Sequence, residues 1–107
     1  KNMEQHRKDL PDKPMLITEF GAQGIKNMHG DLYYSEEFQS AYIERIWDGI
    51  NDVPGLSGGV LWCWADYYHR KYFIHYVAFG PYDVVTTERK PKKSLDALTR
   101  MYGGSRS

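Results

Sequence analysis

Cysteine occurs once in the 107 residues, at Cys63, so no disulfide can form within the chain. No Cys or His pair has the spacing of a structural zinc site, and no metal or cofactor is expected. A surplus of one charge is also missing: 14 Lys and Arg stand against 14 Asp and Glu. That balance leaves no electrostatic footprint for nucleic acid or an anionic membrane surface, and the longest basic stretch is RKPKK at 89–93. Nothing approaches the roughly 18 apolar residues of a membrane span. The opening KNMEQHRKDL has neither the apolar core nor the cleavage site of a signal peptide. Partners among polyanions and membranes are therefore not expected, and the cytoplasm is favoured without being fixed.

What the chain does have is aromatic side chains: 9 Tyr, 4 Phe and 3 Trp, dense over 62–82. Such rings pack cores, and where exposed they stack on flat ligands or on the apolar face of a sugar ring. Residues 1–9 are polar and compatible with a helix that ends at DLPDKP, where two prolines force an extended path. Met15–Phe20 reads as a strand with an apolar run, and GAQGIKNMHGDLYY (21–34) as a long, functional loop. Ser35 is a good N-cap, with Glu36 and Glu37 where the helix dipole favours negative charge. Phe38, Tyr42, Ile46 and Ile50 then recur every four residues, flanked by Ala41, Ile43 and Trp47, predicting an amphipathic helix of about four turns.

SGGVLWCWADYY (57–68) predicts a second apolar strand that, like the first, ends in a carboxylate, Asp66. A loop follows over 69–90, with short extended pieces around Ile74–Phe79 and Asp83–Thr86. Pro91 can begin a last helix with Leu95, Leu98, Met101 and Tyr102 as its apolar stripe and Gly103 at its C-terminal cap. Strands alternating with helices, both strands apolar, predict an α/β fold with a parallel sheet. Two such strands cannot cover their own faces, so a piece of a larger domain is expected.

In order and spacing, KPMLITEFGAQG, YSEEFQSAYIERIWDGI, GGVLWCWADY and RKPKKSLDAL resemble the last part of the catalytic barrel of glycoside hydrolase family 2, over about residues 12–103. That family comprises β-galactosidases, β-glucuronidases and β-mannosidases. The resemblance implies a C-terminal segment of a (β/α)8 TIM barrel: residues 1–12 end the preceding helix and linker, 13–56 hold strand seven with its loop and helix, and 57–107 hold strand eight with its loop and the terminal helix. It implies a carbohydrate substrate, with the rest of the barrel as structural partner.

The resemblance also places roles. Glu19 falls on the nucleophile of a retaining exo-β-glycosidase, at the C-terminal end of strand seven, the face where barrel active sites are built. Such an enzyme needs an ionised carboxylate to attack the anomeric carbon, roughly 5 Å from a protonated carboxyl that serves the leaving oxygen. Trp62 falls on the tryptophan that floors the sugar subsite, and Trp62–Cys63 on a peptide bond that is often cis. Trp64 is expected in the core, and Cys63 as a small buried residue rather than a nucleophile. Asp66 either binds a sugar hydroxyl or holds the following loop. Tyr67, Tyr68 and Tyr72 are candidates for the aglycone side, and His29, His69 and His75 lie in loops expected to rim the pocket.

Two departures from the family pattern matter. β-Glucuronidases carry an Asn-x-Lys element after strand eight that clamps the substrate carboxylate, and YFIHYVAFGPYDVVTTERKPK has no such triplet, which favours a neutral sugar, a β-galactoside first. The acid/base glutamate of strand four is absent, so the chain alone is expected to be inactive. The competing expectations are a β-glucuronidase or β-mannosidase of the same family, another retaining barrel family of the same clan, and a small aromatic-rich carbohydrate-binding or interaction domain without catalysis.

Overall fold

Met15–Phe20 (β1) and Leu56–Leu61 (β2) pair in parallel in the computed structural model, which describes residues 2–68 and 79–103. A parallel pair requires a long crossover. Here it is the loop from Gly21 followed by the helix Glu36–Asn51, which becomes α2 after the short N-terminal helix Asn2–Asp9 (α1). A second, two-residue ribbon pairs Tyr67–Tyr68 (β3) antiparallel with Phe79–Gly80 (β4), and Lys93–Tyr102 forms α3. The mixed α/β reading is borne out, as are the first strand and the Ser35 cap of α2. Ser35 Oγ accepts from the Phe38 N–H at 3.0 Å and donates to the Gly30 carbonyl at 2.8 Å, so one hydroxyl starts α2 and ties down its loop.

The core lies between α2, α3 and one face of the parallel pair. Ile43, Trp47, Ile50 and Met101 form its centre, with Ile17, Phe20, Leu56, Leu61 and Leu98 packed against them. Gly59 of β2 comes so close to Phe20 and Ile50 that a Cβ there would lie 3.0 Å from the Phe20 ring. The other face of the pair is bare: Leu16 is 56% and Val60 52% exposed. Parallel strands normally have apolar cover on both sides, so this face awaits packing that the described residues do not supply.

The buried stripe of α2 differs in part from the expected one. Ile50 is buried and Ile46 packs against the core as expected, but Tyr42 is exposed, and Ile43 and Trp47, with Glu36 and Gln39, complete the buried face. Two polar side chains lead the buried face because each has partners to meet. Gln39 donates to the carbonyls of Ala22 and Asp83, both at 3.0 Å, and accepts from Ser94 Oγ at 2.9 Å. Phe38 and Tyr42 run along the edge, where Tyr33 meets Phe38 edge-on at 4.9 Å. The last helix starts at Lys93, two residues after Pro91, which forms a bridge with Val85.

Glu36 has a larger job than helix-dipole partner. Its two oxygens accept from the Asn27 N–H at 2.8 Å and the Lys93 N–H at 2.9 Å, joining the β1–α2 loop to the start of α3. Burial alone would push this carboxyl up, but those N–H groups, with Lys26 and His29 nearby, outweigh it and hold it below the usual range. A carboxyl lowered in the folded state stabilises above its unfolded value and loses that contribution as pH falls through the folded one. We therefore expect Glu36→Gln to lower the melting temperature of the intact protein near pH 7, by the equivalent of about 1–3 kcal/mol. The gap to wild type should close on acidification below the ordinary glutamate range, about pH 4.3. A gap independent of pH would rule out the ionised carboxylate as the source.

Candidate active site

Because β1 and β2 are parallel, their C-terminal ends emerge on the same side. Glu19 is the penultimate residue of β1, exposed, and Trp62 follows β2 directly. The two ends are linked by pairing of Phe20 with Leu61 and by the Trp62 N–H, which donates to the Phe20 carbonyl at 2.8 Å. The structure thus brings the candidate nucleophile and the candidate sugar platform to neighbouring strand ends. β2 stops at Leu61, five residues short of the expected Asp66, and the Trp62–Cys63 peptide bond just beyond it is cis. The close approach of the two exits requires Gly21: a Cβ there would sit 2.4 Å from the Trp62 carbonyl oxygen.

Trp62 keeps 44% of its surface exposed, as a ring that stacks on a ligand must. Its other contacts are aromatic. The indole Nε1 donates to the Tyr67 hydroxyl at 3.3 Å, the two rings meet edge to face at 6.2 Å and 89°, and Tyr67 stacks on Tyr82 at 6.4 Å. Gly80 leaves room for that stack, since a Cβ would come within 3.1 Å of the Tyr67 ring. Tyr67 therefore packs against Trp62 from the side, and Tyr68 is exposed.

Beneath Trp62 lies a buried polar network. Asp83, 0% exposed, accepts the Cys63 N–H on Oδ1 at 2.7 Å. Its own N–H donates to Asp66 Oδ1 at 3.2 Å, and that oxygen also takes Lys92 Nζ at 2.5 Å. Lys92, 2% exposed, donates again to the Gly24 carbonyl at 2.6 Å. Asp66 is therefore turned inward and tied to Lys92 and Asp83, which supports the loop-holding alternative over contact with a sugar hydroxyl. Burial, then the charge of Asp66, push the Asp83 carboxyl up against the opposing effects of Cys63 and Lys92. Cys63 is half-buried, and burial, followed by its hydrogen bond to Asp83, pushes its thiol up to about 12, so at neutral pH it is not a nucleophile.

Trp64 is corrected by the structure. Expected in the core, it is 56% exposed in this segment, on a shallow groove between β2 and α3 with Val60, Leu98 and Tyr102. His29 is half exposed and hydrogen-bonds Glu37 at 2.9 Å. His69, Arg70, Lys71, Tyr72, His75 and the extended piece at 74–78 lie outside the described residues. Among the described residues no group of three or more His, Cys, Asp or Glu is placed to hold a metal ion. Sequence reasoning missed Asp83, Lys92 and Gln39. Lys92 stands inside a basic run that reads as solvated, and Asp83 in a loop with no periodicity to mark it as buried.

No family model matches the chain. It is 38% identical over 72 residues to a β-glucuronidase of Streptococcus agalactiae serotype V, a match covering 63% of this chain and 12% of that protein. It is also similar to the structure of Bifidobacterium dentium β-glucuronidase complexed with coumarin-3-O-glucuronide, with 32% identity and a TM-score of 0.81 over 96% of this chain and 17% of that one. The same fold occurs in a family 2 β-galacturonidase from Eisenbergiella tayi bound to galacturonate, with a TM-score of 0.81 and 21% identity over 94% of this chain and 20% of that one. The chain thus spans about an eighth of the length of the first curated relative and a fifth or less of these solved chains.

Proposed function

The chain is a segment of a glycoside hydrolase family 2 protein, and from that premise we propose that it supplies the nucleophile and the sugar platform of a retaining exo-β-glycosidase. In this reading β1 and β2 are strands seven and eight of a (β/α)8 barrel, whose remaining strands cover the bare Leu16 and Val60 face. Glu19 attacks the anomeric carbon of a terminal β-linked sugar and forms a glycosyl ester, which water then hydrolyses with the configuration retained. Trp62 holds the ring's C–H face so that the attack is in line. The protonated carboxyl that serves the leaving oxygen comes from outside these residues, so the segment alone does not turn over.

The observation that carries this reading is the adjacency of Glu19 and Trp62 at the C-terminal ends of two parallel strands, joined by the Trp62 N–H to Phe20 carbonyl bond. A fixed scaffold that presents one exposed carboxylate beside one exposed indole suits attack on a stacked sugar. For the sugar itself, the named relatives make a terminal β-glucuronide the first candidate. A β-galactoside is kept as second on one observation, the lack of an Asn-x-Lys triplet over 72–92.

The test is covalent trapping in the intact enzyme with 2-deoxy-2-fluoro-β-glucuronide and 2-deoxy-2-fluoro-β-galactoside carrying good leaving groups, followed by peptide mapping. A label on Glu19 from one of the two establishes nucleophile, retention and sugar together. Labelling of active enzyme at another carboxylate would show the strand assignment to be wrong.

A further inference from the structure

We infer that Asp83 is a positioning residue for the sugar platform, acting through the Cys63 N–H on the peptide that carries Trp62; the inference rests on the platform role of Trp62 proposed above. The Trp62–Cys63–Trp64 backbone receives two backbone hydrogen bonds, from Trp62 N–H to the Phe20 carbonyl at 2.8 Å and from the Val85 N–H to the Trp64 carbonyl at 3.1 Å. Between them, its single side-chain hydrogen bond among the described residues runs from the Cys63 N–H to Asp83 Oδ1 at 2.7 Å. The two backbone bonds hold the ends of this stretch. Asp83 holds its middle, where the chain turns away from the sheet and the orientation of the indole is decided.

Asp83 is itself anchored on three sides. Its N–H donates to Asp66 Oδ1, its carbonyl accepts from Gln39 Nε2, and the next residues pair with the chain around Ala65 through a Val85 bridge. Its carboxylate is fully buried, and Oδ2 has no nitrogen or oxygen donor among the described residues. A buried carboxylate kept with only part of its hydrogen-bonding capacity met is costly. Simple loop closure does not require it, because an amide or a hydroxyl could cap one N–H more cheaply. What the aspartate adds is a short, charge-assisted bond at the point where Trp62 must not move. A lost alignment of the platform weakens sugar binding before it alters the reacting bond, so the effect belongs in KM.

The experiment compares Asp83→Ala and Asp83→Asn in the intact enzyme, using the 4-nitrophenyl β-glycoside of whichever sugar the trapping accepts. Asp83→Ala should raise KM by about tenfold or more, the value of one hydrogen bond to a charged group, with kcat changed far less. Asp83→Asn, which keeps the Oδ1 acceptor but not its charge, should recover only part of that loss. If Asp83→Ala fails to fold, Cys63→Pro removes the donor from the other side and should give the same rise in KM. A lower melting temperature with KM unchanged, or equal damage from Asn and Ala, would overturn the inference. Trp62→Ala separates the two levels: if it leaves KM unchanged the platform reading fails, whereas a raised KM there with none in Asp83→Ala refutes only the role of Asp83.

Discussion

Replacing Glu19 by alanine in the intact enzyme is expected to reduce turnover by on the order of a thousandfold or more, with the fold and substrate affinity largely kept. The reason is positional. Glu19 is an exposed carboxylate at the end of a strand whose neighbours Ile17 and Phe20 are packed into the core, so truncating it removes a charge without opening a cavity. Its removal also leaves space beside the anomeric carbon. Azide supplied in solution should occupy that space and restore part of the turnover of an activated substrate, releasing the α-glycosyl azide through a single inversion. A β-azide, or full activity in the variant, would place the nucleophile elsewhere. Glu19→Gln should lose as much activity but gain nothing from azide, because the amide still fills the space.

The strand that carries Glu19 was legible in the sequence, since a charge that closes an apolar run stands out in MLITEF and the structure keeps the strand at Met15–Phe20. Ser35 was equally legible, because a cap is a local device that one hydroxyl completes. Other features were hidden because burial of polar groups is decided by distant partners. The four-residue period of Phe38, Tyr42, Ile46 and Ile50 held at Ile46 and Ile50 but failed at Tyr42, which is exposed. Gln39 lies on the buried stripe only because Ala22, Asp83 and Ser94 converge on its amide from three other segments. WCWADYY looked like one continuous strand, yet the turn after Leu61 separates Trp62, which faces the site, from Trp64, which faces away from the core. Asp66 was read as a second strand-end carboxylate parallel to Glu19. Two carboxylates read as equivalent met opposite fates: Glu19 is exposed within β1, whereas Asp66 lies beyond the end of β2 and is buried.

That sealed position makes Lys92 the residue whose loss should damage stability most. Its side chain is 0% exposed and that of Asp66 2%, with Nζ 2.5 Å from Asp66 Oδ1 and 2.6 Å from the Gly24 carbonyl. A pair of this kind gains little over a well-packed apolar substitute, but removing one member strands the other as an uncompensated charge at a cost of about 3–5 kcal/mol. Here the stranded group would be worse off than usual, because Asp83 lies beside Asp66 and brings a second carboxyl into the same pocket. Lys92→Met should therefore lower the melting temperature of the intact enzyme by on the order of 10 °C. It should also free three segments at once: the β1–α2 loop at Gly24, the Asp66 turn and the start of α3. The companion variant decides the cause. Lys92→Met with Asp66→Asn removes the unpaired charge while keeping an acceptor for the Asp83 N–H, and should recover more than half of the lost stability. If the double variant is as unstable as Lys92→Met alone, the loss comes from the carbonyl of Gly24 and the packing of the lysine stem. The ion pair would then not be what holds the floor of the site together.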